Sequence, residues 1–115
     1  MDQTRLIIPP NLPQDLREKI RDRVSHLGYQ VVLGWVQDEG QEPIRESFRT
    51  YQEYEMAVRN YFINLYKLQL QFSIGTLIYN LTEDKLKECL SPLKGNIDAL
   101  EISRLYKRYF GNISL

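Results

Sequence analysis

The sequence predicts an α+β fold that is predominantly helical, and three observations carry the prediction. Residues 50–81 repeat large apolar residues at alternating spacings of three and four for about eight turns. Residues 29–36 are rich in β-branched and aromatic side chains, and Tyr29, Val31, Leu33 and Trp35 alternate onto one face. Helix start signals stand at Thr50 with Glu53, at Thr82, and at Asp98 with Glu101, while Gly28 and Gly111 follow apolar-periodic runs. The expected order is an N-terminal helix, a small β-hairpin, a long central helix and two shorter C-terminal helices.

Residues 1–13 read as an extended, proline-rich lead-in to a single globular domain of residues 14–115. Pro9, Pro10 and Pro13 fix φ and push the residues before them out of the helical region. Leu6, Ile7, Ile8 and Leu12 are expected to pack on the domain surface or on a partner. Pro13 suits the first turn of a helix that runs to about Leu27. Leu16, Ile20, Val24 and Leu27 form its apolar stripe.

The strand at residues 29–36 is expected to turn at residues 37–41 and to return as a short second strand over residues 44–48, with Pro43 at its start. The rival is a first helix that continues past Gly28. Two glycines and three valines within nine residues argue against it.

The long helix carries two apolar stripes. One runs from Tyr51 and Tyr54 through Tyr61, Leu68 and Phe72 to Tyr79; the other runs from Ile63 and Tyr66 through Leu70 and Ile74 to Leu81. Together they wrap much of the circumference, the pattern of a buried central helix. Residues 68–82 hold no charge, and the alternation of residues 68–74 also fits a strand. Gly75 costs about 1 kcal/mol against alanine in a helix, so any break is expected near Ser73–Gly75. Thr82 opens a short helix with Leu86, Cys89 and Leu90 inward. Asp98 opens a last one, with Ile102, Leu105, Tyr106 and Tyr109 on its buried face.

At 115 residues the chain has a single-domain length and buries roughly two thirds of its unfolded surface. Fifteen basic and fifteen acidic residues cancel, so no global field steers the protein to nucleic acid or anionic lipid. Cys89 is the only cysteine and His26 the only histidine, which leaves no disulfide and no intramolecular transition-metal cluster. Residues 68–82 are too short to span a bilayer, and the first residues lack a basic and apolar leader. The expected location is cytoplasmic, with no membrane, metal or cofactor.

Residues 21–26 read Arg-Asp-Arg-Val-Ser-His, an Arg-x4-His spacing that resembles the motif of HEPN-type ribonucleases. The resemblance covers six residues. It implies an arginine, Arg21, and a histidine, His26, acting from one helix face at a dimer seam. In that family the motif usually comes late in the chain, whereas here it sits in the first helix.

Arg104, Lys107 and Arg108 alternate with aromatics on the last helix, a pattern that could bind RNA or DNA through phosphate contacts and stacking. The competing reading has the aromatics in the core and the cations complementing the helix dipole. No nucleophile elbow and no phosphate-binding glycine motif is present in the sequence. The favoured expectation is therefore a small non-catalytic protein–protein interaction module, an adaptor or assembly unit that self-associates as a homodimer through its aromatic long helix. Its candidate interface residues are Trp35, Tyr51, Tyr54, Tyr61, Tyr66 and Phe72, because tyrosine and tryptophan bury much area while keeping a polar handle.

Overall fold

The computed structural model describes residues 3–38, 40–95 and 97–111. It is predominantly helical α+β, with four α-helices and one two-stranded sheet. The order begins β1 (Thr4–Ile8), α1 (Gln14–Ser25), β2 (Tyr29–Leu33) and α2 (Tyr51–Asn80). It continues with α3 (Glu83–Leu90) and α4 (Ala99–Phe110), joined by a 3₁₀ turn at Ser91–Lys94.

The strand at residues 29–33 forms, but its partner is not the one expected. β2 pairs with β1, in parallel, in the register Thr4↔Tyr29 through Ile8↔Leu33. The hairpin is thus replaced by a β-α-β unit. Parallel strands need a crossover, and α1 supplies it. Pro9, Pro10 and Pro13 end β1 and carry the chain to the start of α1. Leu6 and Ile8, expected on the surface, are buried core residues, as is Tyr29. Arg5 and Gln30, on the opposite face of the sheet, are exposed. Residues 45–47 form a 3₁₀ turn instead of a returning strand.

Between β2 and α2 the chain runs as a strap along the long helix. Gly34 N–H still donates to Ile8 O at 2.9 Å, closing the ladder. The side-chain amide of Gln71 then holds the strap from both sides. Its Nε2 donates to Gly34 O at 2.7 Å, and Val36 N–H donates to its Oε1 at 3.2 Å. Further along, Gln37 and Asp38 border a small gap with Tyr61, Leu65 and Leu68. At the far end Phe48 packs on Tyr54, ring centroids 6.0 Å apart.

α2 is continuous through Ser73–Gly75. Its fully buried residues, Tyr66, Leu70, Gln71, Ile74, Leu77 and Ile78, follow the helical period and not strand alternation. Gly75 has a packing reason. A Cβ there would come within 3.2 Å of Leu16 Cδ2, so the glycine lets α1 lie close against α2. Thr50 Oγ accepts from Glu53 N–H at 3.1 Å, the cap the sequence signalled. At the other end Arg23 of α1 donates to the free carbonyls of Ile78 and Leu81, the latter at 3.1 Å. Thr82 and Asp98 cap α3 and α4 through the N–H groups of Lys85 and Glu101.

One core joins these elements: Leu6 and Ile8 from β1, Ile20 and Val24 from α1, Tyr66 to Ile78 from α2, Leu86 to Leu90 from α3 and Ile102 to Phe110 from α4. All the fully buried residues of α2 lie at or beyond Tyr66, so its first half is only partly covered. The molecule measures 48 × 32 × 24 Å. A 30-residue helix rises about 45 Å, so α2 nearly spans the longest dimension.

Candidate functional site

Around α2, residues advance about 100° each. Phe72 and Tyr79 therefore point about 140–200° away from Leu70, Ile74 and Leu77, the residues that meet the core. The structure leaves this outer face open: Phe72 is 66% and Tyr79 61% exposed. Tyr51 is 61% exposed at the other end of the same face. Between them Tyr54, Tyr61, Leu65 and Leu68 are half-buried, because the strap lies against them.

The six interface candidates thus separate. Phe72, Tyr51 and Trp35 are exposed, Trp35 to 57%, on the chain just past β2. Tyr54 and Tyr61 are half-buried. Tyr61 packs edge-on to Phe62 at 5.4 Å, and Arg45 stacks over the rings of Tyr51 and Tyr54 at about 6 Å. Tyr66 is not a surface residue at all. It is fully buried, and its hydroxyl donates to Cys89 O at 2.9 Å. Burial drives its phenol pKa strongly upward. The stripe it belongs to is the core stripe, and its hydroxyl finds the internal partner that a buried phenol needs.

Two residues central to this surface were absent from the candidates. Tyr79 closes the exposed end, with Lys19 Nζ 4.9 Å from its ring centroid; its place in the first stripe was the available signal. Gln71 is the only fully buried polar residue described, and it ties down the strap. A glutamine inside an uncharged helical run was its only trace in the sequence.

The basic–aromatic helix does not form a stacking surface. Arg104, Lys107 and Arg108 are exposed, but Tyr106 and Phe110 are buried, Phe110 against Tyr66 at 4.9 Å. Arg108 pairs with Glu88, whose other oxygen accepts from Tyr109 Oη at 2.9 Å. Burial and then that hydrogen bond push the Tyr109 phenol up to about 12.

Arg21 and His26 also lie apart. Five residues of helix separate them by about 140° around the axis. His26 pairs with Glu83 at the start of α3, linking two helix ends. Its hydrogen bond with Glu83 raises its pKa, and the same contact lowers that of Glu83. Cys89 is a buried thiol pushed up to about 11 by desolvation, which disfavours the reactive thiolate. Among the described residues no group of three or more His, Cys, Asp or Glu side chains could hold a metal ion. No helix among them is long and apolar enough to cross a membrane.

No family model, no curated protein and no solved structure matches the chain.

Proposed function

We propose that the protein is a non-catalytic protein–protein interaction module that self-associates, and that the outer face of α2 is where a second copy docks. One observation carries the reading: the face is apolar along its whole length, and its C-terminal end is bare. Tyr51, Val58, Leu65, Phe72 and Tyr79 recur every seven residues. Tyr54, Tyr61 and Leu68 interleave with them, three or four residues away. That is the a/d spacing of a two-helix seam. Most residues of such a seam on a solitary helix would face water, and here Phe72 and Tyr79 do.

Charge supports a second copy as the occupant. Residues 68–82 carry none, and the chain as a whole has zero net charge, so two copies meet without like-charge repulsion. As a seat for catalysis this surface lacks an imidazole, a thiolate or a carboxylate pair. The cytoplasm suits the reading, with Cys89 kept free and buried.

The test is molar mass by light scattering at tens of micromolar, expected to rise from 13.7 kDa toward twice that value. Phe72→Glu and Tyr79→Glu place like charges across the seam and are expected to weaken the dimer at least about tenfold. Both positions are exposed, so the monomer should keep its fold, with unchanged far-UV circular dichroism, while the melting temperature loses only the part that dimerisation adds. A wild-type protein that stays monomeric under these conditions ends the proposal.

A further inference from the structure

A second feature lies beside β1 and does not use the bare end of the α2 seam. Arg5, Leu6 and Ile7 of β1, Val36 of the strap, Lys67 and Leu70 of α2, and Leu93 of the 3₁₀ turn enclose a cavity of about 220 Å³. Four separate parts of the chain meet there, and none of the walls comes from β2. Five of the seven side chains are apolar, with Leu6 and Leu70 buried in the core as its floor.

The two remaining side chains are both cationic. Among the described residues no acidic side chain lines the cavity, and neither Arg5 nor Lys67 enters an ion pair or a side-chain hydrogen bond. Lys67 is half-buried and lines this largely apolar cavity without an anionic partner among the described residues. The backbone adds donors. In this register the groups of Thr4, Leu6 and Ile8 serve the ladder to β2, as Thr4 N–H to Gly28 O at 3.2 Å and Gly34 N–H to Ile8 O at 2.9 Å show. The N–H groups of Arg5 and Ile7 therefore point away from β2, and no hydrogen bond engages them among the described residues.

We infer that this cavity binds a small amphiphilic carboxylate, its apolar body on Leu6, Leu70 and Leu93 and its charged head between Arg5 and Lys67. The size fixes the class. At about 30 Å³ for each water-sized group, 220 Å³ holds roughly seven such groups, a short aliphatic chain or one aromatic ring. The charge fixes the head group: two unpaired cations and free N–H donors stabilise an anion and repel an amine. A carboxylate held there would tie β1, the strap and α2 together and so stabilise the folded state by mass action.

The probe is sodium octanoate, followed by the backbone amide resonances of Ile7, Lys67 and Leu70 and by the melting temperature. Octanoate is expected to shift these amides saturably and to raise the melting temperature with concentration. Acetate, which has the head alone, and octylammonium, which has the opposite charge, should do neither. The Arg5→Gln/Lys67→Gln double variant should weaken octanoate binding by about tenfold or more. Val36→Phe, which fills the space and keeps the cations, should abolish it. The inference is overturned if octanoate gives no saturable shift, if 1-octanol binds as tightly, or if the double variant binds octanoate unchanged. Binding that survives Val36→Phe in a folded protein also overturns it. None of these outcomes depends on whether α2 forms a dimer.

Discussion

Gln71 joins chain segments that would otherwise have no reason to stay together. Its amide reproduces, from a helix, the paired donor and acceptor that a neighbouring strand would offer to Gly34 and Val36. Gln71→Leu keeps the volume and removes both bonds, leaving a carbonyl and an N–H unpaired at the head of the strap. The expected loss is about 1–3 kcal/mol in chemical unfolding, with faster amide exchange at Val36. His26 gives a pH-dependent counterpart. Its folded pKa lies above the unfolded 6.5, so its contribution is complete below that value and is lost as pH rises through the raised one. Glu83 is lowered from 4.5, so its share is present above that value and fades as pH falls through the depressed one. Wild type should therefore exceed His26→Gln in stability between about pH 4.5 and 6.5, and the difference should shrink by pH 8. Thermal melts across that range check it. At this scale the caps at Thr50, Thr82 and Asp98 were legible, because capping depends on residues three apart. The roles of Gln71 and Arg23 were not, because their partners lie 35 or more residues away.

Among the elements, the four helices were legible and the pairing of the strand was not. Periodicity specifies a helix locally, but it says nothing about which strand lies beside another. Residues 4–8 carry a short β pattern, Thr-Arg-Leu-Ile-Ile, that the prolines behind it disguised as an unpaired lead-in. Length told in favour of the pairing found: residues 9–28 hold one helix, the connection a parallel pair requires. The register in α2 was legible for the same reason the helices were, whereas the function of its glycine was not. Gly75 sits where α1 crosses, and only packing reveals it. Gly75→Leu should force Leu16 aside and destabilise by about 1–3 kcal/mol, despite the better helix propensity of leucine. Equilibrium unfolding in urea measures the sign directly. A gain in stability would mean that α1 does not rest on that position.

The molecule as a whole is a β-α-β unit closed by one long helix, with two short helices completing the core. Its candidate surface was half legible. The sequence placed two apolar stripes on α2; the structure turns one into the core and leaves the other half-covered, exposed at Tyr51, Phe72 and Tyr79. Which was which could not be read from spacing, since both repeat at three and four; Tyr66, on the inward stripe, was named an interface residue for that reason. β1 bears on the whole molecule because Leu6 and Ile8 contact a core drawn from every helix. Ile8→Ala should cost about 2–5 kcal/mol and lower the melting temperature of the entire domain in a single transition. A local loss confined to the first residues would show that the strand is an appendage.

The parallel pairing also orders events during synthesis. Both strands and α1 have been made once residue 33 leaves the ribosome, so the β-α-β unit can close early. The helix residues that cover its buried face, Tyr66 to Ile78, come about 40 residues later, roughly 2–8 s at 5–20 residues per second. For that interval Leu6, Ile8, Ile20 and Val24 form a sheet-and-helix face with nothing over it. The nascent chain passes through a stage at which its future core is on the outside, and this is the stage at which a chaperone has a surface to hold.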